Sequence, residues 1–384
     1  MTLSFRIRGG SRSKSCRKSS GQEAGSRTKK LIINCIRNMK RLFRKSLYSC
    51  AVAIACWNCQ NRERIYPDFD YTTAYFPYQY PVRTLVMGDY YFDNTRDKEL
   101  KFLISATMGG VYKNTEDRKI EFVIDESLTE NLYIGDKRIL PLPRRYYTLS
   151  HESEIVIPKG ELAGGVEVRL TEDFLKDSLS IGHLGTRYVV PVRIVHADTD
   201  SLLTGQAAVG NPDVRVETDW VLKPRNFTLF GINYVNEYHG KYLLRGKSEV
   251  SMDGTLVETN VYRQKYVEKD EVVEVNTSSG NSIVYRHRIV RANTSSPGDF
   301  EILATFDENG NGTVTSTDAS AFGVTGTARF AKNTEIWGGE QRNAIYLDYK
   351  VTEGELTHTA KDTLVFRDKA VSFQEYVPVV KQGN

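Results

Sequence analysis

Between residues 70 and 373 the chain is a succession of short apolar or alternating runs, each closed within a few residues by Gly, Pro, Asp or Asn. An amphipathic helix needs a longer stripe at a period of about 3.6, whereas a half-buried strand needs alternation over only about four to eight residues. Runs at 100–107, 119–124, 154–157, 166–170 and 188–195 are separated by turn signals at 109–110, 141–143, 158–160 and 164–165. That is the spacing of an antiparallel sandwich. Residues 172–179 alone read as helical, for one or two turns. Residues 62–212 are therefore expected to form an Ig-like β-sandwich.

Residues 207–214, with Gly210, Asn211 and Pro212, read as a linker. A second block, 226–380, carries runs at 242–244, 259–266, 272–275, 282–291, 301–306, 312–316, 324–330, 344–351, 356–360 and 365–373. Alternation places Ile283, Tyr285, His287 and Ile289 on one face, with Arg286 and Arg288 on the other. Hairpin-connected strands without a crossover helix predict a meander that closes on itself, a C-terminal lipocalin-like (calycin) β-barrel. Closure removes the unpaired edges that an open sheet would expose. The expected fold class is all-β. Alternation does not distinguish an open barrel interior from one filled by side chains, because both give the same inside–outside pattern.

The cysteines, Cys16, Cys35, Cys50, Cys56 and Cys59, all precede the strands. Neither a disulfide scaffold nor a cysteine zinc site is therefore available to the folded region. Residues 1–55 hold 14 of the 52 basic residues and one acid, Glu23, which leaves 38 basic and 47 acidic residues beyond them. The whole-chain charge of +4 thus conceals a strand region at −9. Phosphate affinity requires a clustered positive surface, so nucleic acid is not an expected partner.

Met39 opens the basic segment MKRLFRK, followed by an apolar run at 47–55. The run is too short for a stable bilayer span, and residues 39–55 are expected to be a lipoprotein signal peptide. Residues 1–38, rich in Ser, Arg and Lys, are expected to be a mis-called upstream extension. The sequence Ala53-Ile54-Ala55-Cys56 resembles a lipobox, in which the cysteine thiol is lipidated and becomes the mature N-terminus. Cys59 is the alternative site. The expected location is the outer membrane, held through the N-terminal lipid.

Residues 71–83, YTTAYFPYQYPVR, continued through residue 195, resemble the N-terminal domain of a family of Bacteroidetes surface lipoproteins. One branch of that family carries the domain ahead of an endo-β-N-acetylglucosaminidase. Residues 227–240, FTLFGINYVNEYHG, look like the start of the lipocalin-like C-terminal domain of unknown function found in non-enzymatic members. The resemblance covers nearly all of residues 65–380. It implies a place beside SusC/SusD-type glycan importers, a role in capturing or handling oligosaccharides, and cell-surface exposure in preference to the periplasmic face. Surface-exported members often carry an acidic patch after the lipid cysteine, whereas Gln60-Asn61-Arg62-Glu63-Arg64 stands here.

Catalytic patterns are sparse. Glycosidases need two carboxylates flanking the scissile bond. The Asp-x-x-Asp-x-Asp-x-Glu pattern of the enzymatic relatives is missing, and the two blocks leave no room for a (β/α)₈ barrel of ~250 residues. The histidines, His151, His183, His196, His239, His287 and His358, lack metal-site spacing, and no Gly-x-Ser-x-Gly elbow occurs. Asp307, Asn309 and Asn311, with Asp318 at the twelfth place, mimic a calcium loop. Asn309-Gly310 and Asn311-Gly312 are equally strong hairpin formers, and a plain hairpin is the favoured reading. No cofactor is expected.

Aromatic residues offer the best match to a glycan role. Ten of them fall between Tyr66 and Phe92, and flat rings with hydroxyl handles suit sugar faces. Strands also favour Tyr for packing alone. Trp337, beside Gly338-Gly339 at an expected loop tip, is the leading stacking candidate, with Tyr78 and Tyr80 after it; Trp220 is expected to be buried between the domains. The favoured reading is a non-catalytic envelope lipoprotein that binds oligosaccharides. A structural or adhesive protein with protein partners is the alternative, and an unrecognised glycoside hydrolase the more remote one. Mass spectrometry of the protein recovered from membranes is expected to find a lipidated Cys56 as the first residue; an unprocessed Met1 would remove the anchor.

Overall fold

The computed structural model describes Phe69 and residues 71–289, 298–317 and 323–381. The expected signal peptide, Cys56 and Cys59 lie outside the described residues. So do Asp318 and the side chain of His287. Among the described residues no helix is long and apolar enough to cross a membrane. The fold is all-β, a sandwich followed by a closed barrel.

One sheet of the sandwich runs in the order Ser201–Leu202, Thr73–Tyr75, Lys101–Gly109, Ala163–Leu170, Tyr147–Leu149. The other runs Gln374–Glu375, Pro81–Val86, Phe227–Val235, Tyr188–Ala197, Arg118–Ile124, Glu154–Ile157. Alternate residues of Lys101–Gly109 turn inward, so Phe102, Ile104, Ala106 and Met108 are buried against Phe122, Val190 and Ile232 of the opposite sheet. The helix expected at 172–179 is present as Glu172–Lys176 followed by a 3₁₀ turn at Ser178–Ser180. A second short helix, Thr95–Lys98, has no apolar stripe by which the sequence could have announced it.

Two expectations about the joint between the domains are corrected. The Phe227–Val235 strand, assigned to the barrel within 226–380, lies inside the sandwich sheet. It is antiparallel to Tyr188–Ala197 and parallel to Pro81–Val86. Its sequence, FTLFGINYV, is buried on both faces along nearly its whole length, and only a central strand can bury both faces. The segment expected as a linker, 207–214, is held in place. Gln206–Ala207 pairs with Trp220–Leu222, and the Asp213-bound Arg215 guanidinium donates to the carbonyls of Leu128 (3.1 Å) and Glu130 (2.6 Å). Trp220 is half-buried there, donating to the Asp213 carbonyl at 2.7 Å.

The barrel closes with eight strands. Gly240–Met252, Glu271–Ser279, Ser282–Ile289, Gly298–Phe306, Asn311–Ser316, Gly323–Trp337, Glu340–Glu353 and Leu356–Asp368 follow in order, and the last pairs back to the first from Lys241↔Asp368 to Met252↔Leu356. Gly240–Met252 is long enough to share its other edge. Residues 240–244 pair with Glu271–Ser279, and 246–252 pair with a ninth strand, Thr255–Tyr262. Ile283 and Tyr285 point inward and Arg286 outward, as alternation predicts. The interior is filled by side chains, among them Tyr242, Tyr285, Phe300, Phe306 and Tyr349.

The run expected at 356–360 and the first part of the run expected at 365–373 are one strand, Leu356–Asp368, and residues 369–373 lie beyond it. Lys361-Asp362 lies between the two expected runs, and an unpaired acid is costly inside a barrel. Here Asp362 is buried and accepts the hydroxyl protons of Tyr262 and, at 2.9 Å, Tyr349. Burial pushes its carboxyl up to about 6, against the lowering effect of those two hydrogen bonds. A raised carboxyl binds its proton more tightly in the folded state, so its contribution to stability falls as pH rises from the unfolded value near 4 towards 6. Relative to Asp362→Asn, the wild type should therefore lose roughly 2–3 kcal/mol over that interval. Denaturant unfolding of both proteins at pH 4 and pH 7 checks this; parallel pH profiles would contradict it.

Candidate functional site

An aromatic-walled cleft of about 630 Å³ opens at the flank of the sandwich. Both sheets line it, through Leu103–Ser105 on one side and residues 81–84 and Val86 with Thr228 and Phe230 on the other. Phe230 stacks on Phe102 beneath it, ring centroids 5.3 Å apart. Two groups of rings form its rim. Tyr90 and Phe92 belong to one, with Tyr91 packed on both at 4.5 and 4.1 Å. Tyr78 and Phe373, 5.5 Å apart, form the other. Phe92, Tyr78 and Phe373 are all exposed. The Tyr90 hydroxyl is pushed up to about 12, chiefly by burial, so it remains a proton donor at any ordinary pH.

The loop carrying Tyr90–Phe92 is braced. Asn94 is buried and donates to the carbonyls of Val86 and Gly88, both at 2.9 Å. Gly88 has φ +77 and passes so close to the barrel junction that a Cβ there would stand 2.2 Å from Glu237 Cβ. From the barrel, Lys332 reaches Asp89 at 2.9 Å, and that ion pair holds the Asp89 carboxyl below its usual range. On the opposite rim, Val371–Phe373 is held between the barrel's last strand and the Gln374–Glu375 strand that pairs with Pro81–Val82.

Polar groups converge inside these rings. Arg83 is ion-paired to the buried Asp97, whose second oxygen accepts from Val86 N at 3.1 Å. Asp93 accepts from Thr95 N and Oγ1 at 3.0 and 2.7 Å, and those bonds lower its carboxyl pKa. Thr228 is 1 % exposed, lines the cleft, and its Oγ1 has no hydrogen-bond partner among the described residues. Buried polar groups are nearly always paired. The Oγ1 atom is itself closed to solvent, so this wall of the cleft holds a desolvated hydroxyl with no partner among the described residues.

The three stacking candidates read from the sequence lie in different places. Tyr78 lines the cleft. Tyr80 packs against Phe227 and Tyr376 at 6.0 and 5.5 Å, within the core that holds the C-terminal tail. Trp337 does sit at a hairpin tip, where Gly338 and Gly339 at φ +63 and +78 make a two-residue turn. It is half-buried there; its Nε1 donates to the Phe366 carbonyl at 2.9 Å, and the Arg342 guanidinium lies 4.4 Å from the ring centroid. Tyr90 and Phe92 stood within the aromatic-rich stretch of the sequence. Thr228, Phe230 and Phe373 carried no such signal. Asp307 forms a hairpin turn: its Oδ1 accepts from Asn309 N at 2.9 Å and Asn311 N at 2.8 Å. Among the described residues no group of three or more His, Cys, Asp or Glu side chains is placed to hold a metal ion.

Comparison with solved structures places the chain. A Bacteroides ovatus protein of unknown function is 37% identical, with a TM-score of 0.76 over 82% of this chain and all of its own length. The chain belongs to that protein's family. Within the family architecture, residues 69–201 match a described N-terminal domain, and residues 237–370 match the domain of unknown function DUF5627. Two remoter structures cover less. A multidomain B. ovatus protein that includes DUF1735 is 13% identical, with a TM-score of 0.42 over 77% of this chain and 94% of its own. An auxiliary nutrient binding protein of Bacteroides thetaiotaomicron is 15% identical, with a TM-score of 0.35 over 74% and 90%. Neither likeness is close enough to carry an argument. No curated protein matches the chain. The matched families name no reaction, and none of these matches links the chain to the endoglycosidase branch.

Replacing the unpaired Thr228 hydroxyl by a methyl group removes a desolvated polar atom at nearly constant volume. Thr228→Val is therefore expected to raise stability by about 1 kcal/mol, read as an upward shift in Tm. A lower Tm would mean that the hydroxyl has a partner within the protein.

Proposed function

We propose that this is a non-catalytic envelope lipoprotein that holds an oligosaccharide in the aromatic cleft. The observation that carries the reading is the coincidence, in one braced cleft, of exposed rings with the exposed polar side chains of Arg83 and Asp93. Rings suit the C–H faces of sugars, and polar groups set among them fix orientation. Hydrolysis by the acids of this site finds no support. Asp93 accepts from Thr95 N and Oγ1, which holds its carboxyl below the range of the protonated acid that glycoside cleavage requires, and Asp97 is engaged by Arg83 and Val86 N. Anchorage through Cys56, exposure at the cell surface and work beside a SusC/SusD-type importer belong to the same proposal and rest on the sequence resemblance.

A second reading is favoured by one feature. Among the described residues the Thr255–Tyr262 strand pairs along the Gly240–Met252 side alone, and Leu256, Val257 and Val261 are exposed. An unpaired apolar sheet edge is a template for a strand of a protein partner.

A glycan array probed with residues 62–384 separates the two readings. Binding that Phe92→Ala weakens at least tenfold, with Trp337→Ala neutral, is the expected result. Silence across plant and host glycans would dispose of the sugar reading and leave the sheet edge as the functional surface.

A further inference from the structure

The aromatic cleft does not end at the sandwich. Thr84, Val371 and Ser372 line both it and a second recess of about 180 Å³, whose far wall includes Glu274 and Asn276. Those two residues in turn line a third recess of about 820 Å³, between the 178–184 loop of the sandwich and the outer face of the barrel. Three depressions that share wall residues thus lie side by side across the seam between the two domains.

The walls change character along this row. Rings dominate the sandwich end, whereas at the seam His239, Glu274, Asn276, Ser372 and Gln374 replace them. Glycine backbone also faces this middle stretch. A side chain on Gly182 would stand 3.2 Å from Asn233 Oδ1, a buried oxygen that, like Thr228 Oγ1, has no hydrogen-bond partner among the described residues. The charged lining residues are Arg83, Asp93, Asp97, Glu274, Arg286 and Glu301, two positive and four negative. Arg83 is neutralised by Asp97 and Arg286 by Glu301. Asp93 has Arg96 and Lys98 near it and Glu274 stands opposite Lys241 in the neighbouring strand, so the lining offers no surplus of positive charge to hold uronate or sulfate groups.

We infer that the ligand is an extended neutral oligosaccharide, gripped by rings at the sandwich end and continued by polar contacts across the seam onto the barrel. This rests on the sugar-binding reading of the cleft and specifies its substrate class. It also assigns a role to the barrel's outer face that its filled interior could not supply.

The test is calorimetric titration of the 62–384 protein with ladders, from monosaccharide to octasaccharide, prepared from mannan, xylan and galactan, and with oligogalacturonate as the acidic comparison. One neutral ladder should bind with affinity rising at least tenfold between disaccharide and hexasaccharide. Glu274 is exposed and Asn276 half-buried on the barrel's outer face, so Glu274→Ala and Asn276→Ala should fold normally, as their melting curves will show. Each should weaken the hexasaccharide about tenfold and leave the disaccharide within twofold, whereas Phe92→Ala should weaken both. Affinity that levels off at the disaccharide, or a hexasaccharide indifferent to both barrel variants, would overturn the extended groove while leaving the cleft intact. Preference for oligogalacturonate would overturn the neutral class. Failure of every ladder at every length would remove the cleft reading itself.

Discussion

Asn236 commits every polar atom it has to one joint. Its N–H donates to Thr277 Oγ1 at 3.0 Å, its Nδ2 to the carbonyls of Ser279 and Ser282 at 2.8 Å each, and its Oδ1 accepts from Tyr238 N at 3.1 Å. Its carbonyl accepts from the buried Lys369 ammonium at 3.4 Å, and Lys369 also donates to the Glu237 carbonyl. The joint lies where the chain leaves the Phe227–Val235 strand and enters the barrel, and where the barrel's last strand returns. Buried polar atoms are expensive to leave unpaired, so entry and exit are locked to one another. Burial also draws the Lys369 ammonium down to about 8.

The cleft follows from that joint. Because the exit is fixed beside the entry, residues 371–373 emerge at the sandwich flank and become its wall. Gln374–Glu375 then adds a strand beside Pro81–Val86, and the Tyr376 hydroxyl reaches the Leu229 carbonyl at 2.8 Å. Gly88 packs the opposite rim against Glu237, one residue beyond Asn236. A rim built from both domains therefore has a fixed width, as a preorganised binding site requires.

Two buried aspartates are accommodated in different ways. Asp97 sits under the cleft against Arg83, so the pair is nearly neutral and its polar edges face the opening. Asp362 lies inside the barrel, where it accepts from the hydroxyls of Tyr262 and Tyr349 and burial raises its pKa. The first arrangement can present hydrogen-bonding groups to a ligand. The second holds the Thr255–Tyr262 strand to the barrel through Tyr262.

Most of the strands were legible because inside–outside alternation is local. Ile283 and Tyr285 declare their face whatever they pack against, and Asp307 with Asn309-Gly310 declares a turn. The Phe227–Val235 strand could not be placed in this way, since a run apolar on both faces says that it is central without saying in which sheet. The continuity of the last strand through Asp362 was not visible either, because the two tyrosines that donate to the acid come from other strands. The aromatic-rich stretch was visible, yet which rings face a cleft was not: Tyr78 reaches it, while Tyr80, two residues on, is packed under the tail.

The sequence by itself determined the all-β class, the closed meander and the absence of cysteine from the strands, because each depends on residue type and short-range periodicity. The tertiary structure alone decided the joint at Asn236, the membership of residues 227–235 and the assembly of Thr228, Phe92 and Phe373 around one opening. These are contacts between segments as much as 281 residues apart in the chain. No local pattern encodes such meetings; they exist only once two sheets and a barrel have packed together and fixed where the chain enters and leaves.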